Sequence, residues 1–187
     1  MPVEIVDFSV APSAIDGLVI VTPKQVSDER GTIRELFRRS AFRAAGVDLD
    51  TFDQINVTET RRGAVRGMHA EQMTKLVTVA SGEAFGAYAD LRPGSATRGA
   101  VVTVELRPGV QVLVPSGVAN GFQALTDGCQ YLYCFDTEWQ PGMAGQACSP
   151  LGAGIEWPIA IDPDDPLQLS TKDRTAPLLA DVVSEDS

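Results

Sequence analysis

The sequence predicts an all-β domain, a sandwich or barrel carrying a few short helices. Short runs rich in β-branched and aromatic residues recur along most of the chain, separated by Gly, Pro, Asp and Ser. Several of them alternate apolar and polar residues with the period of a half-buried strand. Helical periodicity is weak, and no internal repeat is present.

In chain order, the expected strands span 17–22, 33–37, 53–58, 63–68, 75–80, 84–91, 100–106, 110–114, 121–125 and 130–136. In Val110-Gln111-Val112-Leu113-Val114, the residues Val110, Val112 and Val114 share one face. Tyr131, Tyr133 and Phe135 have the same spacing, so core packing is their natural use. Pro108-Gly109 and Pro115-Ser116-Gly117 mark turns. Ser40–Ala45 reads as a short helix opened by a serine cap, and a second helix is expected near 176–183. The tail after Asp173 reads as an appendage, with 184–187 frayed.

A chain of 187 residues is long enough for one domain with a real core. A net charge of −10 disfavours a nucleic-acid binder. It leaves room for a nucleotide ligand, since a few local arginines suffice for a diphosphate. The three cysteines, Cys129, Cys134 and Cys148, cannot all pair and form no Cys-x-x-Cys motif, which suggests a reducing compartment. The N-terminus lacks the pattern of a signal peptide, and no apolar stretch reaches membrane-spanning length. These features predict a cytoplasmic protein with no membrane partner.

His69 is the only histidine, and histidine is the side chain best able to exchange protons near neutral pH. It follows Arg66 by three positions and precedes Lys75 by six. A base among cations suits an anionic substrate. By residue type alone, packing or surface polarity is the commoner explanation of a single histidine.

Several stretches, taken in order, resemble the dTDP-4-dehydrorhamnose 3,5-epimerase family. They are Glu29-Arg30-Gly31 with Glu35, Gln54-Ile55-Asn56, Val65-Arg66-Gly67-Met68-His69, and Thr74-Lys75-Leu76-Val77. Further on come Asp90-Leu91-Arg92-Pro93-Gly94-Ser95, Val114-Pro115 through Gly121-Phe122, Tyr131-Leu132-Tyr133, Glu138-Trp139, Glu156-Trp157-Pro158 and Leu169-Ser170-Thr171-Lys172-Asp173. The resemblance implies a double-stranded β-helix, a cupin-like jelly roll, in a homodimer with exchanged N-terminal strands. It implies a dTDP-linked 4-keto-6-deoxy sugar as substrate, with no cofactor and no metal.

The same resemblance assigns roles. The 4-ketone acidifies the hydrogens on both neighbouring carbons; a base removes one and a proton returns from the other face. His69 matches the base and Asp173 its carboxylate partner. Lys75 matches the lysine beside the keto oxygen, and Tyr133 the acid that returns a proton. Arg66 and Arg30 match diphosphate ligands, with Arg30 expected from the partner subunit. Glu35, Gln54, Asn56 and Asn120 match polar positions of the sugar and nucleotide site, and Trp139 an aromatic near the thymine.

Departures from the family pattern cluster around the site. Gly86 stands where an active-site carboxylate is expected, and Asn120 where a second histidine is expected. The loop between His69 and Lys75 is short, Ile33 replaces an aromatic, and Ser149-Pro150 replaces Asp-Pro. These changes predict an altered sugar or epimerisation at one carbon instead of two. They leave open another isomerase or cyclase, or a non-catalytic sugar-nucleotide binder, on the same scaffold. A cupin metal site is disfavoured by the single histidine.

Overall fold

In the computed structural model, which describes residues 2–184, two antiparallel sheets face each other. One sheet has the order β2 (Ser9–Pro12), β3 (Val19–Thr22), β11 (Gln111–Val114), β8 (Lys75–Ser81), β13 (Cys129–Phe135) and β6 (Gln54–Thr60). The other runs β10 (Val101–Leu106), β9 (Ala84–Asp90), β12 (Val118–Ala124), β7 (Val65–Glu71) and β14 (Gly145–Ala147). A small third sheet pairs β1 (Glu4–Val6), β4 (Gln25–Asp28) and β5 (Gly31–Arg34). This is the expected cupin-like jelly roll.

Strand alternation sorts side chains into three apolar clusters. The inner cluster joins Val77, Val79, Val112, Val114 and Tyr131 of the six-stranded sheet to Tyr88, Phe122 and Val104 of the five-stranded sheet. The outer face of the six-stranded sheet, with Val21, Leu76, Leu113 and Cys134, is covered by Phe42, Phe8, Phe37 and Phe52. Phe42 belongs to α1 (Arg39–Ala44). Six residues are too few for an isolated helix, so burial of Phe42 against Phe8 and Phe37, at 5.1 and 5.2 Å between ring centroids, holds α1 in place. The outer face of the five-stranded sheet, with Met68, Ala70, Ala87 and Ala119, is covered by Cys148, Ala153 and Trp157 and by α3 (Leu179–Ser184).

All ten expected strands form, with ends shifted by up to three residues. β5 starts at Gly31 and ends at Arg34, because Leu36 and Phe37 leave the sheet to pack against the outer cluster. The strands β1, β2, β4 and β14 escape the sequence pattern because each is three or four residues long and none buries a continuous face. Ser40 is not a cap: it lies inside α1, whose N-cap is Arg38, without a side-chain hydrogen bond. The true serine cap is Ser170, whose Oγ accepts from the Asp173 N–H at 3.1 Å and opens α2 (Thr171–Arg174). The tail expected as an appendage instead contributes Leu179 and Val182 to the outer cluster. Ser184 ends α3, while 185–187 lie outside the described residues. Among the described residues no helix is long and apolar enough to cross a membrane.

Candidate active site

At one end of the inter-sheet space the apolar lining gives way to a cavity of about 220 Å³. Arg66, His69, Glu71 and Asn120 of the five-stranded sheet and Asn56, Thr58, Lys75, Tyr133 and Phe135 of the six-stranded sheet line it, with Trp139 at the edge. In a regular strand, Arg66 and His69 would point to opposite faces, since three residues separate them. A register shift resolves this. Asn120 of β12 pairs with His69 while Phe122 pairs with Arg66, so the bulge at Gly67 puts both side chains on the inner face. Gly67 has φ +114°, and a Cβ there would stand 2.6 Å from Gly121 Cα, so only glycine fits.

His69 Nε2 lies 2.7 Å from Asp173 Oδ1. The Asp173 side chain is 7% exposed, delivered by α2 to the back of the imidazole. Burial alone would raise its pKa. Hydrogen bonding and charge from His69, with the Ser170 hydroxyl and the Gly67 backbone, outweigh burial and hold it below the usual carboxylate value. An ionised partner at Nε2 accepts a hydrogen bond from Nε2–H and so leaves Nδ1 as the basic nitrogen.

Lys75 opens β8 on the inner face, with its side chain 4% exposed. Its Nζ donates to the His69 carbonyl at 3.2 Å and makes an ion pair with Glu71. Burial pushes the Lys75 pKa down, and Glu71 only partly restores it. Glu71 was not among the residues expected from sequence. The available signal was its position two residues after His69, which strand alternation places on the same face. Tyr133 projects from the facing sheet, with its pKa raised well above the ordinary phenol value, chiefly by burial. It therefore remains a proton donor at neutral pH.

Asn120 lies between His69 of β7 and Tyr88 of β9 in the cross-strand register. Its Nδ2 donates to the Tyr131 hydroxyl at 3.2 Å. Tyr131 in turn stacks on Phe122 at 3.9 Å. The Tyr88 hydroxyl is fully buried and, among the described residues, has no hydrogen-bond partner of good geometry. A Cβ on Gly86 would meet it at 2.7 Å. The space that the family pattern gives to a carboxylate at this position is therefore occupied by the phenol of the residue two further along the strand.

Arg66 donates through Nε to Thr60 Oγ1 at 3.0 Å and has no ion pair among the described residues, which leaves its charge free to meet an anion. Gln54 organises the rim. Its Nε2 donates to Asn56 Oδ1 at 3.0 Å, and its Oε1 accepts from the Trp139 backbone N–H at 2.8 Å. Trp139 is 49% exposed. Arg30 and Glu35 do not line the cavity of their own chain: Arg30 pairs with Asp28 and Glu35 with Arg38.

Fold and site together define a jelly roll with proton-transfer groups on two facing sheets. Residues 12–181 match the family described as dTDP-4-dehydrorhamnose 3,5-epimerase, and the chain belongs to that family. The dTDP-4-dehydrorhamnose 3,5-epimerase of Methanothermobacter thermautotrophicus is 33% identical over 174 residues, covering 90% of this chain and 92% of that protein. A 4-keto-6-deoxy sugar epimerase from the novobiocin gene cluster of Streptomyces spheroides superposes with a TM-score of 0.85 at 29% identity, over 96% of this chain and 91% of that one. A 3'-monoepimerase of Streptomyces bikiniensis, solved with dTDP-quinovose, gives a TM-score of 0.81 at 31% identity, over 90% and 87% of the two chains.

Proposed function

We propose that the protein is an isomerase that epimerises a dTDP-linked 4-keto-6-deoxy sugar next to its ketone. The observation that carries this is the single imidazole, bonded at Nε2 to buried Asp173 and lining a cavity whose far wall holds Lys75 and Tyr133. Base and acid stand on opposite sheets, so a sugar between them loses a proton on one face and regains one on the other. In that cycle His69 Nδ1 takes the proton and Asp173 stabilises the imidazolium. The Lys75 ammonium meets the negative charge that develops on the ketone oxygen. Tyr133 returns a proton. Arg66 binds the diphosphate, Asn56 and Asn120 bind sugar hydroxyls, and Trp139, held by Gln54, stacks on the base.

The working form we propose is a cytoplasmic homodimer. Two observations support the dimer. Arg30 and Glu35 do not line their own cavity, and the three-stranded sheet exposes Ile5 and Ile33 at 57% and 75%. With one imidazole in the cavity and Asn120 unable to exchange protons at neutral pH, epimerisation at a single carbon is the expected outcome. The coupled pair Gly86 and Tyr88 favours, as a second reading, a different isomerase on the same scaffold.

Incubation with dTDP-4-keto-6-deoxyglucose in D₂O tests this, with deuterium followed at C3 and C5. Uptake at one carbon supports a monoepimerase, and uptake at both a double epimerase. Absence of uptake by folded protein overturns the reading. His69→Ala is expected to abolish uptake without unfolding the chain.

A further inference from the structure

We infer that Glu71 is a positioning residue whose carboxylate aims the Lys75 ammonium at the ketone oxygen; the inference rests on the epimerase reading above. β7 and β8 belong to different sheets, and only residues 72–74 connect them. This short crossing puts the last residue of β7 against the first of β8. An ammonium has three donors. Glu71 Oε2 takes one and the His69 carbonyl a second. Both acceptors lie on the β7 side, so the third donor is left for the cavity that Lys75 helps to line.

The charged and titratable groups around Nζ come from every neighbouring element. β7 supplies Arg66, His69 and Glu71, β13 supplies Tyr133, and α2 supplies Asp173. Past the end of β13, Asp136 accepts from the Thr74 N–H. Asp173 is engaged by His69 and Asp136 by the backbone, so among the described residues Glu71 is the one carboxylate bonded to Lys75. At 3% exposure Lys75 has almost no water to hold its charge. Glu71 supplies that charge balance. The ammonium is then both oriented and ionised when enolate charge appears, which is the moment at which it lowers the barrier.

Two variants separate aim from charge. Glu71→Gln keeps the shape and an acceptor but removes the charge, while Glu71→Ala removes both. The chain has three lysines, and of these only Lys75 is buried, so its Cε resonance is assignable in protein labelled with ¹³C-lysine. In Glu71→Gln the Lys75 titration midpoint, read without substrate, is expected to fall by about 1–3 pH units. The alkaline limb of kcat for deuterium uptake is expected to move with it, with little change in KM. Glu71→Ala is expected to lose kcat on the acid side as well, because the ammonium is no longer aimed. An ion pair of purely structural use would move the lysine midpoint and thermal stability but leave the alkaline limb of kcat in place; an unmoved lysine midpoint or an unmoved kcat limb in folded variants overturns the inference. If Glu71→Gln folds poorly, Glu71→Asp withdraws the carboxylate by one methylene and is read by the same titration. The lysine titration needs no substrate. Absent uptake by the native chain would therefore overturn the epimerase reading while the Glu71–Lys75 coupling is still measured separately.

Discussion

Asp173→Asn isolates the contribution of the carboxylate behind the base. Asp173 Oδ1 lies 2.7 Å from His69 Nε2, and its side chain is 7% exposed, so the bond is charge-assisted and shielded from solvent. Hydrogen bonds to charged groups contribute about 1.5–3 kcal/mol. Lost from the transition state, that amount lowers kcat by roughly 10- to 150-fold. A second effect acts in the same direction. If the asparagine presents its NH₂ to Nε2, the imidazole must carry its proton on Nδ1, and the group facing the cavity becomes a donor instead of a base. The assay is deuterium uptake from D₂O at saturating substrate, with KM measured in parallel and a thermal melt to confirm folding. The expected result is a large fall in kcat with KM nearly unchanged. A folded Asp173→Asn protein whose kcat stays within about twofold of the parent would refute the assignment of His69 as a base oriented from Nε2.

Other outcomes follow from packing and linkage. Gly86→Ala brings a Cβ to 2.7 Å from the Tyr88 hydroxyl and 3.0 Å from Leu106 Cδ1. Overpacking of this kind costs about 1–3 kcal/mol, a Tm lower by roughly 2–12 °C in a chain of this size. Tyr88→Phe removes a hydroxyl without a good partner and should be close to neutral, while the double variant should recover most of the loss; additive melting temperatures would show that the two positions are not coupled. Asp90 is expected to contribute to acid stability. Burial would raise its pKa, but Arg92, Ser95 and Thr97 donate to it and hold it far below the ordinary 3.8. Because the folded value is depressed, this stabilisation is complete above about pH 4–5 and lost as pH falls through and below the ordinary value. Asp90→Asn should therefore flatten the acid side of a Tm-against-pH curve, and an unchanged acid slope would count against the network.

The sequence by itself determined the strand pattern and most of the candidate site. Alternation is a local property: once Val77 and Val79 face inward, Lys75 must as well, and Tyr131 places Tyr133 beside it. His69 was legible because it is the only imidazole, and Asp173 because it closes a recognisable stretch, although the helix that delivers it and the Ser170 cap were not. Tertiary structure decided the rest. Whether Arg66 and His69 share a face depends on a bulge at Gly67, and a bulge is set by the pairing of β7 with β12 rather than by either strand. Glu71 gained its role because a three-residue crossing between sheets brings two strand ends together, and no periodicity spans that gap. The missing carboxylate at Gly86 reads in sequence as a loss. In three dimensions it is the space for the Tyr88 ring, because two residues apart on a strand means the same side of the sheet.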